Sequence, residues 1–549
     1  MHKILKVHQS DDVIVALQDL TAGEEVSLNG RNYTLLENIT AKHKFAAHDF
    51  APGDPIHMYG VKIGRAVKPI HEGMRISTEN TEHDTNAYQA GQRRLQWDKP
   101  DISRFKGRTF KGYHREDGRV GTMNYWLVVP MVFCENRNIQ LMKESMLPAL
   151  GYVSSRTSYI DLQPLLQAHR KGAATASLLE VDILSNPQTV KKRRPFPNVD
   201  GIKFLTHDGG CGGTRQDSEM LCRLLAGYID HPNVAGATVL SLGCQNAQVQ
   251  VLEKALRDIN PSFNKPLYVF EQQQYSSEQI LISQAIKQTF SGLVYADQFK
   301  RKKASLKHLK LGLECGGSDG FSGISANPAL GYASDLLVAL GGTAVLSEFP
   351  ELNGVEQELA DRCVSKPLAE KFVHLMDTYN DRAKAVGSAF SANPSPGNIK
   401  DGLITDAMKS AGAARKGGNS PVTDVLDYGE QVVKPGLNLL CTPGNDVEST
   451  TGLAGSGANV IAFTTGLGTP TGNPIAPVVK IASNTKLAQR MSDIIDIDAG
   501  SIITGEDTIA SMGEAILDYV IRVAGGEAVP HAVQLGQDDF IPWKRGVSL

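Results

Sequence analysis

Through residues 1–95 apolar and polar positions alternate in short runs, Asp12-Val-Ile-Val-Ala-Leu17, Arg31-Asn-Tyr-Thr-Leu-Leu36 and Val61-Lys-Ile-Gly64, each cut off by Gly or Pro. A period of two with frequent breakers predicts the strands of a small β-rich module, because successive strand side chains point to opposite faces. From Gln92 to Lys111 the chain turns polar and basic, as a linker does, which places a boundary near residue 108. Beyond it, apolar runs alternate with helical periods. Trp126-Leu-Val-Val-Pro-Met-Val132, Gly236-Ala-Thr-Val-Leu-Ser-Leu-Gly243 and Gly292-Leu-Val-Tyr-Ala296 read as strands, and 277–290 as an amphipathic helix. A helix over 329–340 and strands at 342–347 and 459–465 continue the pattern. The polar, glycine-rich stretch 391–420 predicts either a loop over an active site or a disordered insertion. The expected fold is therefore a multidomain α/β protein, with a small β-rich domain at 1–95 followed by α/β domains at 108–265 and 266–549.

Composition narrows the picture. The 549 residues exceed one ordinary domain of about 100 to 200 residues. The 41% hydrophobic and 21% charged fractions are those of a folded protein, so disorder does not describe the chain as a whole. No run approaches the roughly 18 apolar residues of a membrane helix, and the start lacks the apolar stretch of a secretory signal. A cytoplasmic protein without a membrane partner is expected. A net charge of −3 and the lack of a sustained basic stripe speak against nucleic acid; Lys191-Lys-Arg-Arg194 reads as a solvated loop. Seven scattered cysteines do not form a disulfide framework, which leaves reduced thiols, some of them candidate ligands. Many of the 53 glycines crowd beside cysteine, as in Asp208-Gly-Gly-Cys211-Gly-Gly and Glu314-Cys315-Gly-Gly-Ser-Asp-Gly, where backbone can turn sharply or approach a ligand. No complete phosphate-binding glycine loop accompanies them.

Landmarks then accumulate in order. His43-Lys-Phe-Ala, Asp49, Pro52-Gly53, Tyr59-Gly60 and Ile63-Gly64-Arg-Ala are followed by Gly112-Tyr, Asp117-Gly-Arg-Val-Gly-Thr and Asn124-Tyr. His207-Asp-Gly-Gly-Cys-Gly, His231-Pro-Asn and Gly243-Cys244 come next, then Leu313-Glu-Cys-Gly-Gly-Ser-Asp-Gly, Ser322-Gly-Ile-Ser-Ala-Asn-Pro-Ala and Glu348-Phe-Pro-Glu. Pro443-Gly, Thr451-Gly-Leu, Gly457-Ala-Asn, Phe463-Thr-Thr-Gly and Asp498-Ala-Gly complete the set. Over nearly its whole length the chain resembles the altronate/galactarate dehydratase family, nearest its altronate branch, with a β-clip (SAF-type) domain ahead of a dehydratase body. The resemblance implies a hydro-lyase acting on a small-molecule sugar acid, D-altronate giving 2-dehydro-3-deoxy-D-gluconate first. Galactarate is the alternative, a related branch eliminates sulfite from sulfolactate, and a non-catalytic sugar-acid-binding protein is the reading from another class. It also implies Fe2+, with Mn2+ second, and a homo-oligomer, taken as a dimer. One place departs from the family pattern: where a His-x-His-Asn motif is expected, the chain has Ser77-Thr-Glu79-Asn80.

Dehydration of a hydroxy acid starts by removing a weakly acidic proton beside a carboxylate, so it needs a base, an acid for the departing hydroxyl and a positive centre for the developing enediolate. With the family resemblance in hand, the catalytic candidates are His43, Lys44, His207 and Asp208. Imidazole is the side chain best tuned to proton transfer near neutrality, and a lone histidine is otherwise structural. Ser318, Asp319, Ser322, Asn327 and Glu348 are the candidates for holding a polyhydroxylated substrate, although turns and helix caps use the same residue types. The metal candidates are His43, Glu79, Cys211, Cys244 and Cys315. Two arrangements stay open: a mononuclear ferrous site using His43 and carboxylates, or an iron–sulfur cluster held by Cys211, Cys244 and Cys315 with one iron open to substrate. The active site is expected between the module and the body, with the module hinged so as to admit substrate.

Overall fold

The computed structural model describes residues 3–91, 95–153, 160–184 and 193–548; Gln92, Lys191 and Lys192 lie outside the described residues. The N-terminal module is all antiparallel. Val13–Ala16 lies between Ile4–Leu5 and Lys44–Ala46, Glu25–Leu28 pairs with Arg31–Thr34, and Val61–Ala66 lies between Pro55–Met58 and Thr81–Glu82. The alternating runs form these strands because one of their faces is buried: Ile14, Val26, Tyr33 and Phe45 fill a small core on one side.

The other side does not stop at the module. Val13, Val15, Ile56, Met58 and Ile63 join a core that continues into Leu311, Leu313, Leu330 and Leu346 of the C-terminal unit. The module is thus packed as part of one body, and a hinge motion would have to open a continuous apolar interior.

The second unit is a four-stranded parallel sheet in the order Gly201–Phe204, Tyr125–Pro130, Val234–Ser241, Leu267–Glu271. Its fourth strand lies beyond residue 265, and the helix Glu278–Ala296 packs on the same sheet, so this unit runs on past the boundary expected from sequence. That helix also takes in Gly292–Ala296, which reads as a strand in the sequence. The apolar cluster is the helix's inner face: Leu293 and Ala296 are buried, and Gly292 lies so close to the Trp126 ring that a Cβ would collide with it.

The C-terminal unit is a seven-stranded, all-parallel sheet. Its order is Val422–Leu426, Gly436–Leu440, Thr343–Leu346, Lys310–Cys315, Val460–Thr465, Val478–Ala482, Ile497–Asp498. Its first strand in sequence, Lys310–Cys315, lies in the middle. The chain builds outward on one side through Thr343–Leu346 and later returns to the other side at Val460–Thr465. Crevices form at the carboxyl ends of strands where the order reverses in this way. Helices Ala326–Ala339 and Ile509–Ala524 pack against each other in this unit. A separate antiparallel ribbon ties the units together, with Thr109–His114 between Val120–Gly121 and Arg301–Ser305.

The 391–420 stretch is neither an open loop nor an insertion without structure. It folds into Pro396–Lys400, Asp406–Ala414 and a turn of 3-10 helix at Arg415–Gly417. Ser395 and Thr405 cap the first two, and all of Asp406–Ala414 is buried. Among its buried charged residues, Asp406 accepts from Asn353, and Lys409 and Lys416 pair with Glu351 and Glu348. Among the described residues no helix is long and apolar enough to cross a membrane.

Candidate active site

Glu314 and Cys315 end the central strand, and Glu348 follows the neighbouring strand, so three reactive groups meet where the strand order reverses. Glu348 adopts a left-handed backbone, φ 64° and ψ 60°, a conformation that costs a non-glycine residue about 1–3 kcal/mol and persists only where surroundings enforce it. The enforcing contacts are the Glu348 amide donating to Thr442 Oγ1 at 2.8 Å and the Cys315 amide donating to Glu348 Oε2 at 3.0 Å. Lys416, itself 1% exposed, donates to Glu348 Oε2 at 2.8 Å and to Cys315 Sγ at 2.7 Å. The Cys315 thiol donates to Glu351 Oε2 at 3.2 Å, and Lys409 pairs with Glu351 Oε1 at 2.7 Å. On the far side, Glu314 Oε2 accepts from Ser347 Oγ at 2.9 Å and Ser449 Oγ at 2.6 Å.

Charge and burial set the protonation states. Burial, and then the Glu348 charge, push the Glu314 carboxyl well above the ordinary range, so it keeps its proton. Burial also raises Glu348, against the pull of Lys416. Burial works on Glu351 too, but Lys409 and Lys416 outweigh it and hold that carboxylate below its usual value. Lys416 is raised, because the thiol and carboxyls around it outweigh the cost of burying an ammonium. The Cys315 thiol is pushed up by burial and then by Glu348. Glu314 Oε1 and Glu348 Oε1 are both buried, and as bare carboxylate oxygens they lack a donor. A proton shared between the two carboxyls would supply one, and the pair would then titrate as a unit.

The same residues bear on a metal. Ligand atoms within 4.8 Å of one another are offered by Glu314, Glu348 and Asp446, and by Cys315, Glu348 and Glu351. The second set already holds an ammonium on Cys315 and Glu348. The first is all oxygen and includes Asp446, whose carboxyl burial and then Glu348 raise to about 7. Oxygen ligands suit a hard or borderline divalent ion, so the Glu314, Glu348 and Asp446 set fits one.

The remaining candidates fall in three places. His43 and Lys44 lie where the module meets the body: His43 Nε2 pairs with the Lys400 carbonyl at 3.0 Å, and Lys44, fully buried, donates to the Gly402 carbonyl at 2.7 Å. Burial brings the Lys44 ammonium down to about 7. Asp319 belongs to the same seam. Its carboxylate accepts from Ser322 Oγ at 2.9 Å and Ser483 Oγ at 2.8 Å and pairs with Lys42 at 3.0 Å. The Ser318 carbonyl accepts from Asn398. Asn327 bonds Thr464 Oγ1 and the Gly412 carbonyl, so it and Ser322 spend side-chain polarity within the protein. His207 and Asp208 stand at the carboxyl end of the second unit's sheet, along with the exposed Cys211 and Cys244. Both His207 ring nitrogens are engaged, Nε2 with the Pro130 carbonyl at 2.8 Å and Nδ1 with the Gly209 amide at 3.1 Å. Asp208 and Glu79 are exposed. Among the described residues, the two close ligand sets contain Cys315 and Glu348 and none of His43, Glu79, Cys211 or Cys244.

Sequence reasoning missed Glu314, Glu351, Lys409, Lys416 and Asp446. Glu314 and Glu351 sit inside motifs visible in the sequence, but Lys416 lies 101 residues from Cys315 and 68 from Glu348, with no local signal.

Two buried carboxyls raised by burial, beside a buried ammonium at the carboxyl ends of parallel strands, equip this multidomain α/β protein for proton transfer. Residues 2–84 match the altronate/galactarate dehydratase SAF domain, 112–297 the D-galactarate dehydratase/altronate hydrolase second domain, and 306–548 the D-galactarate/altronate dehydratase C-terminal domain. The chain belongs to the galactarate/altronate dehydratase family. Altronate dehydratase of Escherichia coli (strain K12) is 35% identical over 95% of both chains, and that of Bacillus subtilis (strain 168) is 34% identical over 100% of both. Galactarate dehydratase (L-threo-forming) of Escherichia coli (strain K12) is 31% identical over 97% of this chain and 94% of its own.

Proposed function

We propose that this protein is a cytoplasmic hydro-lyase that removes water from D-altronate to give 2-dehydro-3-deoxy-D-gluconate. The observation that carries the chemistry is the Glu314–Glu348 pair, two buried carboxyls raised by burial, each with an oxygen lacking a donor, which we read as sharing one proton. One member of such a pair can accept the proton from the carbon beside the substrate carboxylate while the other delivers one to the departing 3-hydroxyl, which leaves as water. The enol left behind tautomerises to the ketone. Lys416 stabilises the ionised form of Glu348 between turnovers, and the packed interior keeps bulk water from levelling these acidities. Glu314, Glu348 and Asp446 are the residues that would hold a divalent ion, ferrous iron first and manganese second. Such an ion supplies positive charge for the substrate carboxylate and the developing enediolate. Identity to the two altronate dehydratases supports altronate over galactarate.

The test is an anaerobic assay with added ferrous iron on altronate and galactarate, measuring 2-keto-3-deoxy product. Altronate is expected to turn over faster. No product from any sugar acid would overturn the reading. Chelation is expected to abolish turnover, and ferrous or manganous ion to restore it.

A further inference from the structure

The seven cysteines divide by place. Cys222, Cys315, Cys363 and Cys441 are buried. Cys134, Cys211 and Cys244 are exposed, and they occupy the loops that leave three adjacent strands of the four-stranded sheet: Tyr125–Pro130, Gly201–Phe204 and Val234–Ser241. All these strands are parallel, so the three thiols stand on one edge.

The loops are bonded to one another at the cysteines. The Phe133 amide donates to the Gly209 carbonyl at 3.1 Å, and the Ala247 amide donates to the Gly210 carbonyl at 3.0 Å. His207 and Asn136 add side-chain links between the first two loops. Gly210, at φ 98°, lets the second loop lie against the first, because a Cβ there would collide with the Met131 carbonyl oxygen. Each cysteine lies within three residues of one of these loop-to-loop bonds. Helices Asn136–Leu150, Arg215–Asp230 and Val249–Ile259 start just after Cys134, Cys211 and Cys244. Three helix N-termini therefore face one edge, where their dipoles favour anionic ligands.

We infer that Cys134, Cys211 and Cys244 hold an iron–sulfur cluster at the carboxyl edge of the second unit. Exposed thiols are open to incoming iron, while buried thiols stay inert. Cys315 takes no part, since its sulfur is already bonded to Lys416 and Glu351 in the other sheet. Among the described residues, the ligand sets close enough to share a single ion do not include these three cysteines. A cluster does not ask the thiolates to share one ion, since each binds a different iron. On assembly each thiol loses its proton to solvent and shares a sulfur lone pair with one iron. Three thiolates leave the fourth iron of a cubane without a protein sulfur. The assignment does not rest on the dehydratase reading, and its test needs no turnover.

The full-length protein, treated anaerobically with ferric iron, sulfide and excess thiol, is expected to take up about four irons and four acid-labile sulfides. The added thiol supplies the electrons that bring the ferric ions to mixed valence and becomes disulfide. The broad visible absorbance of thiolate-bound iron should accompany uptake. Cys315→Ser is expected to keep the full complement, and the Cys134→Ser/Cys211→Ser/Cys244→Ser triple variant to take up none. Should the triple variant not fold, alkylation of the wild type read by mass spectrometry serves instead, with Cys134, Cys211 and Cys244 all protected after cluster assembly. No uptake by the wild type, undiminished uptake by the folded triple variant, alkylation unchanged by treatment, or one ion bound at these thiols without sulfide would each overturn the assignment.

Discussion

Glu348 is turned into a backbone region that few non-glycine residues occupy, and every atom that holds it there belongs to the site it serves. Glu348→Gln keeps the shape and removes the titrating proton. Turnover is expected to fall about 100- to 10,000-fold, measured as kcat, and the melting temperature to fall as well, because buried Lys416 loses a paired charge. Lys416→Met leaves Cys315 and Glu348 without their buried cation, and its expected signature is a loss of kcat together with a lower denaturation midpoint, because removing one partner strands the other's charge. Lys44 provides a pH test. Its folded value is about 7 against an ordinary 10.5, so its contribution to stability is complete above the ordinary value and is lost as pH falls through about 7. Wild type is expected to lose urea resistance relative to Lys44→Met as pH drops from 10 toward 6; parallel pH profiles would refute this. Glu348 was legible in sequence as a carboxylate after a strand. Lys416 was not, because its neighbours are chosen by packing across the sheet and no spacing along the chain encodes them.

Among elements, the helix Asp406–Ala414 does most to join the module to the body. Thr405 caps it by accepting from the Met408 amide at 3.2 Å and also donates to the Ile63 carbonyl of the module at 2.7 Å. Thr405→Ala is expected to cost about 1–2 kcal/mol, read from denaturant midpoints. Gly323 lies against the Tyr59 hydroxyl and the Gly412 backbone, so close that a Cβ would collide with the hydroxyl. Gly323→Ala should therefore loosen docking, seen as faster hydrogen exchange in the Lys44–Ala46 strand. Val13–Ala16, Arg31–Thr34, Val61–Ala66, Tyr125–Pro130, Val234–Ser241, Thr343–Leu346 and Val460–Thr465 were readable from their apolar runs, whereas Gly201–Phe204, Leu267–Glu271, Lys310–Cys315, Val422–Leu426, Gly436–Leu440 and Val478–Ala482 were not picked out. The 391–420 elements were not, since burial there is shared with small and charged residues, and a hydrophobic pattern does not record charged groups that are paired.

For the molecule as a whole, the α/β layering and the order of units were visible in the alternation of strand and helix. The shared interior was not, because alternation tells which face of a strand is buried and not what buries it. One core crossing from module to C-terminal unit predicts that they unfold together. Hydrogen exchange followed through a denaturant series should show Val13–Ala16 and Lys310–Cys315 losing protection in one step; two separate steps would contradict the common core.

The antiparallel ribbon brings Tyr113 opposite Arg301, although the whole second unit lies between them in the chain. The polypeptide makes an excursion there, departing and coming back through a single doorway. A segment spliced in at neighbouring points can be lengthened, trimmed or exchanged while the path on either side stays as it was. Recombination among relatives therefore has a ready seam in this fold.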